Sequence, residues 1–175
     1  MSDGDHISNL LQIAKDESKL EDIVAKVTQI APDWDTKWPT RCCALMQSVL
    51  LQSAGIDFDI EGSAGRLAYR LGGPGPSRKW THVPPGMQQP GDIGVCFDED
   101  TSIPGADHVY LVLQNINKNK MVIVDNQYDL LHFRCVDGSD TGYGGKTPTE
   151  YFLRAPGYTP LEAASISGAH FSNVS

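Results

Sequence analysis

The segment that decides the fold reads WPTRCCALMQSVLLQSAGI and runs from Trp38 to Ile56. Two adjacent cysteines follow a proline and a threonine, and apolar residues at helical spacing come after them. Thr40 is a favoured N-cap and Gly55 a favoured terminator, so the pattern predicts a helix over about 41 to 54. The predicted buried stripe consists of Leu45, Met46, Val49 and Leu50. Two thiols would therefore lie in the first turn of a buried helix.

The flanking sequence predicts helices first and strands afterwards. Apolar spacing over 6–30 predicts one or two helices that end before Pro32, and EGSAGRLAYRLG predicts a further short helix. The stretch GGPGPSRKWTHVPPGMQQPG predicts a long loop. Five later segments then have strand character: DIGVCF, HVYLVLQNI, KMVIVDNQ, LLHFRCV and EYFLRAP. This order predicts the α+β class with an antiparallel sheet.

Length and hydropathy predict one domain that does not insert into a membrane. The chain has 175 residues, and 40% of them are hydrophobic, which suffices for one core. We expect a single domain over 1–155 and a small, polar tail over 156–175. No run approaches the roughly 18 apolar residues of a membrane helix. The start, MSDGDHISNL, lacks the form of a signal peptide, so we expect synthesis in the cytoplasm.

Charge and cysteine content exclude several classes of function. The net charge is -8 without a dense basic cluster, so we expect no nucleic acid partner. The four cysteines are Cys42, Cys43, Cys96 and Cys135. They form no CxxC pair, which argues against zinc knuckles and thioredoxin-type motifs, and they are too few for a disulfide scaffold.

The paired thiols suit nucleophilic catalysis. A helix N-terminus can lower a cysteine pKa from about 8.5 to roughly 3.5–7.5, and a neighbouring imidazole completes the activation. Cys42 and Cys43 are both candidates on this ground. The alternative is that both are small buried thiols that only pack under the helix.

His108 is the best candidate for the base, because it begins a strand and would be held rigidly. His82, in the predicted long loop, is the second choice, and His132 is interpreted as a surface or partly packed residue. A catalytic imidazole also needs an orienting group. The next strand ends in three polar residues, Asp125, Asn126 and Gln127. If these two strands form a hairpin, that end returns close to His108.

This order of residues resembles the NlpC/P60 and CHAP group of papain-like cysteine peptidases and amidases. The family helix signature is Asp/Asn-Cys-Ser-Gly-Phe-Val. Aligned with RCCALMQSV, it places Cys42 as the nucleophile and Cys43 in the serine position, which we prefer. The register with Cys43 as the nucleophile fits the distance to Gly55 slightly better. Arg41 departs from the family pattern, which has an acidic or amide residue before the cysteine.

The resemblance covers 38–130 and extends to the strands. The family's Pro-Gly-Asp-Ile strand start is found at 90–93, and its His-Val start at His108. Asp125 best matches the third catalytic position, followed by Gln127 and Asn126. The resemblance therefore implies a papain-like fold, with N-terminal helices packed on an antiparallel sheet. It also implies a Cys-His-polar triad without metal or cofactor.

The implied function is hydrolysis of a peptide or amide bond in bacterial peptidoglycan through a thioester acyl-enzyme. The helix also resembles that of type VI secretion amidase effectors, and a phage lysin fits equally. Either implies release by a non-Sec route or by phage lysis, and an effector implies an immunity or inhibitor protein as partner. Alternatives are a deamidase, transferase or protease-like toxin that acts on protein, and a non-enzymatic binding or structural domain.

Several residues are candidates for substrate contact. Tyr69 and Trp80 would line the cleft from the helix and long loop, although core or loop packing explains them equally. Asp107 and the acidic residues of 98–100 could select a cationic amine, but we favour the interpretation of this charge run as a solvated hairpin tip. The backbone N–H of Cys42 is expected to donate to the oxyanion.

Overall fold

The computed structural model describes residues 1–74, 78–97, 106–127, 130–139 and 147–159. Within them the chain is α+β, which confirms the predicted class. The α-helices are α1 (Ile7–Lys15), α2 (Glu17–Ile30), α3 (Cys43–Ser53) and α4 (Ala64–Gly72). The strands are β1 (Thr81–Val83), β2 (Ile93–Cys96), β3 (His108–Asn115), β4 (Lys120–Val124), β5 (Leu131–Cys135) and β6 (Thr149–Arg154). Short 3₁₀ helices cover Asp3–His6 and Ala31–Trp34.

Helices α1 and α2 are amphipathic and pack on α3. On α1 the buried residues are Ile7, Leu10, Ile13 and Ala14, and on α2 they are Leu20, Ile23 and Val27. Both sets recur every three or four residues, so each helix buries one face. Asp16 separates the two helices, and its carboxylate accepts from the backbone N–H groups of Ser18 and Lys19. This N-cap is why two helices form rather than one.

Helix α3 is the central helix, and every residue from Cys43 to Leu51 is buried. It begins two residues later than predicted, because Arg41 has a left-handed φ of 51° that interrupts the helix and places Cys42 at the N-cap. The prediction of Thr40 as N-cap is therefore wrong. Gly55 ends the helix as expected, with a φ of 94° that favours glycine.

The sheet is antiparallel throughout, in the order β1-β6-β2-β3-β4-β5. Strand β1 lies inside the segment that the sequence predicts as a long loop. Among the described strands its partner is β6, where His82 is opposite Leu153. Strand β6 thus joins the sheet between β1 and β2, although it comes last in the chain.

Both faces of the sheet bury apolar residues. The helices cover one face and form the main core with residues such as Val109 and Leu111. A smaller cluster on the other face contains Cys96, Tyr110 and Phe152. Alternation along the strands accounts for this division, since successive side chains point to opposite faces.

The two ends of the described chain pack on the body. Asp3 is buried and accepts from the Arg78 guanidinium and from Trp80 Nε1, the latter at 2.7 Å. The Gly4 backbone N–H donates to the Pro156 carbonyl, and the Tyr158 hydroxyl donates to Pro90. The first residues of the predicted tail are therefore held in place, and 160–175 lie outside the described residues.

Among the described residues, none of the helices has the length and apolar character needed to cross a bilayer.

Candidate active site

Helix α3 places the Cys43 thiol against the first residue of β3. The thiol lies near enough to His108 to raise the pKa of the imidazole, and its sulfur lies 3.9 Å from the Asp107 carbonyl oxygen. Cys43 occupies the first position of the helix, where backbone N–H groups have no intrahelical acceptor. The site therefore combines a thiol, an imidazole and the positive end of a helix.

Asp125 completes a chain of three polar groups. It directly follows β4, which pairs with β3 as the sequence analysis expected, with Leu111 opposite Val124. Asp125 Oδ2 lies 2.8 Å from His108 Nε2, and its other oxygen accepts from the Gln127 backbone N–H. Since Nε2 is engaged by the carboxylate, Nδ1 is the ring nitrogen that remains for the Cys43 thiol.

The environment of His108 favours the imidazolium. Burial opposes the charged ring, but the hydrogen bonds to Asp125 and Cys43, helped by the charges of both, raise its pKa to about 9. A positive ring beside the sulfur stabilises negative charge on it. The arrangement therefore suits a thiolate–imidazolium pair.

Cys42 lies in a different environment from Cys43. It is 0% exposed, against 7% for Cys43, and its thiol donates to the Thr40 carbonyl at 3.2 Å. Burial raises the pKa of the Cys42 thiol. The preferred register, with Cys42 as nucleophile, therefore does not match the contacts of His108, because a residue at the N-cap position directs its thiol back to the preceding turn.

The expected oxyanion donor also changes. The Cys42 backbone N–H donates to the Pro39 carbonyl at 3.4 Å, so it is already engaged. Cys43, at the first helical position, has a backbone N–H without an intrahelical acceptor.

The two alternatives for the third position, Asn126 and Gln127, also have hydrogen bonds that hold the site together. The Asn126 side-chain amide donates to the Pro39 carbonyl at 2.6 Å, which ties the end of β4 to the turn before the cysteines. The Gln127 backbone N–H orients the Asp125 carboxylate.

The predicted substrate-contacting residues differ from one another in exposure and in hydrogen-bond partners. Asp107 is exposed, and its backbone carbonyl oxygen lies 3.9 Å from the Cys43 sulfur. Tyr69 is 52% exposed on α4, whereas Trp80 is buried and bonded to Asp3, which is the packing alternative. His82 is exposed in β1 and stacks on Tyr151 with ring centroids 4.3 Å apart. The acidic residues 98–100 lie outside the described residues.

The Pro-Gly-Asp motif has a structural role. Asp92 is buried, accepts from the Gln89 backbone N–H, and forms a two-pronged ion pair with Arg154 of β6 at 2.9 and 2.7 Å. It therefore fixes the start of β2 against β6, at the opposite end of β2 from the residue that pairs with His108.

Sequence reasoning misjudged one buried residue near Asp125 and missed another. The interpretation of His132 as a surface or partly packed residue is wrong, because His132 of β5 is buried, with Nε2 3.8 Å from Asp125 Oδ2. Gln47 is buried within α3, and its side-chain amide donates to the Val124 carbonyl at 3.1 Å, beside Asp125. A polar residue inside an otherwise apolar helix was the available signal for Gln47.

Among the residues that the structure describes, His, Cys, Asp and Glu side chains form no group of three suited to a metal ion. The chain matches no protein family, and comparison with curated proteins and with solved structures finds no significant match.

Proposed function

We propose that this protein is a cysteine hydrolase with a papain-like fold that cleaves a peptide or amide bond in bacterial peptidoglycan. The observation that carries the proposal is the position of His108, which is hydrogen-bonded to Asp125 and lies beside the Cys43 thiol that raises its pKa. The proposal takes the Cys43 register in place of Cys42.

The fold supports this reading. A nucleophile at the start of a buried helix faces a base on an antiparallel strand, and the next strand supplies the orienting carboxylate. The choice of peptidoglycan rests on the resemblance of residues 38–130 to cell-wall peptidases. The arrangement of thiol, imidazole and carboxylate supports thiol-dependent acyl transfer.

In the proposed mechanism the Cys43 thiolate attacks the carbonyl carbon of the scissile amide. The Cys43 backbone N–H donates to the developing oxyanion, a kind of contact worth about 3 kcal/mol. The carbon–nitrogen bond then breaks, and His108 protonates the departing amine. Water, deprotonated by His108, attacks the thioester and releases a carboxylic acid and the free thiol. Asp125 holds the ring in the required orientation throughout.

The test compares wild type with Cys43→Ala, Cys42→Ala and His108→Ala on purified cell-wall sacculi, with soluble fragments identified by mass spectrometry. We expect release by wild type and Cys42→Ala, and loss of release in the other two. Release lost in Cys42→Ala but kept in Cys43→Ala would contradict the assignment of the nucleophile.

A second measurement separates the chemistry from the substrate. The rate of iodoacetamide alkylation at Cys43, followed by peptide mass spectrometry, should fall at least about tenfold in His108→Ala, because the imidazolium no longer stabilises the thiolate. Fast, His108-dependent alkylation without fragment release would retain the thiol enzyme and reject the wall substrate. A deamidase, transferase or protease acting on protein would then be the next candidate.

A further inference from the structure

We propose that the cleft beside the cysteine turn binds a carboxylate group of the substrate through Arg41 and Lys37, an inference that rests on the proposed function. The cleft has a volume of about 460 Å³. Its lining residues are Pro32, Asp35, Thr36, Lys37, Thr40 and Arg41.

The position of the cleft connects it to the site. Arg41 precedes Cys43 by two residues, so their Cα atoms lie at most about 7.6 Å apart. The same turn is tied to the end of β4 by the bond from Asn126 to Pro39, next to Asp125. The cleft therefore borders the turn that leads directly into the proposed nucleophile.

The backbone holds Arg41 in an unusual conformation. Its φ of 51° is left-handed, a region that favours glycine, and Asp35 on the same segment has the same φ. The turn is closed by a hydrogen bond from Thr36 Oγ1 to the Thr40 carbonyl and by a bridge between Lys37 and Thr40. The Arg41 side chain thus extends from a backbone position where glycine would be less strained. The hydrogen bonds of the turn hold the backbone of this segment in place.

The charges of the cleft differ from those of the whole chain. Arg41 and Lys37 are exposed, and no ion pair joins either to an acidic group among the described residues. Four other arginines in those residues pair with carboxylates: Arg66, Arg70, Arg78 and Arg154. Asp35 brings one negative charge against two positive ones. In a chain of net charge -8, the cleft is therefore a local cationic site.

This chemistry selects a carboxylate. The planar guanidinium of arginine matches two carboxylate oxygens, and a lysine ammonium adds a point charge. The preferred substrate would thus carry a free carboxylate close to the scissile amide, and conversion of that carboxylate to a carboxamide would weaken binding.

The test measures binding without turnover. Calorimetry on the Cys43→Ala protein compares a peptidoglycan stem tetrapeptide that bears free carboxylates with its fully amidated counterpart. We expect the acidic peptide to bind about tenfold more tightly, and to lose affinity as salt is added. Adding Arg41→Gln should remove most of the preference, Arg41→Lys should retain part of it, and Lys26→Gln, an exposed lysine on α2, should leave it unchanged.

The outcomes separate this inference from the proposed hydrolase. Equal affinity for the two peptides, or a preference that survives in the Arg41→Gln/Lys37→Gln double variant, would overturn the carboxylate site. Neither result affects fragment release by wild type. A preference that depends on Arg41, together with no cleavage of sacculi, would instead retain the cleft and reject the hydrolase. Thermal unfolding of each variant excludes loss of the fold.

Discussion

At the scale of single residues, the ionisation of His108 links the proposed chemistry to stability. Its folded pKa of about 9 exceeds the value of 6.5 for an unperturbed histidine, so the folded state holds the proton more tightly. The resulting stabilisation is fully present below pH 6.5 and is lost as the pH rises through about 9.

We therefore predict that wild type loses about 3 kcal/mol of unfolding free energy between pH 6.5 and 9.5, relative to His108→Gln. Urea denaturation across this range measures the difference. His82→Gln is the matched control, since His82 is exposed in β1 and should keep the wild-type slope. Parallel pH profiles for wild type and His108→Gln would contradict the ion-pair description.

Sequence reasoning predicted His108 and Asp125 as partners, and it preferred Cys42 over Cys43 as the nucleophile. His108 and Asp125 follow from strand starts and ends, because a hairpin must bring them together. The choice between Cys42 and Cys43 depended on where α3 begins. That position is set by the left-handed φ of Arg41 and by the bond from Asn126 to Pro39, and neither is visible in local spacing.

At the scale of elements, the ion pair between Asp92 and Arg154 joins β2 to β6. We predict that Arg154→Leu costs about 3–5 kcal/mol, because it leaves the Asp92 carboxylate buried without its partner. Lys19→Met removes an exposed pair with Asp16 and should cost less than about 1 kcal/mol. Urea denaturation at pH 7 measures both.

The pH dependence of the unfolding free energy of Arg154→Leu tests whether the unpaired Asp92 carboxylate causes the loss of stability. Protonation of Asp92 removes the buried charge, so part of the lost stability should return at acidic pH. Equal costs for Arg154→Leu and Lys19→Met would show that the pair contributes no more than a surface contact.

The sequence predicts most of the helices and strands, and there is a physical reason why it does not predict β1. In the described residues, the four α-helices and five of the six strands lie in segments where the sequence predicts them, because apolar content, length and flanking turn residues are local signals. Strand β1 has only three residues, lies among prolines and glycines, and buries Val83 alone. Its pairing with β6 depends on tertiary packing, so the local sequence pattern does not predict this strand.

At the scale of the whole molecule, Asp3 joins the start of the chain to the segment before β1. We predict that Asp3→Ala costs about 3 kcal/mol, because Arg78 and the buried Trp80 Nε1 lose their acceptor. Asp5→Ala, an exposed neighbour on the same 3₁₀ helix, is the control and should cost about 1 kcal/mol or less. Thermal unfolding should show a clearly larger fall in Tm for Asp3→Ala, and equal falls would refute this role.

The position of β6 has a consequence for how the protein is made. A ribosome releases β1 and β2 well before β6, yet β6 pairs with both. During synthesis the facing edges of these two strands therefore have no partner, and unpaired edges are sites of intermolecular pairing. The sheet can close only after β6 has left the ribosome, so β1 and β2 must wait for a strand that lies more than 50 residues further along the chain than β2.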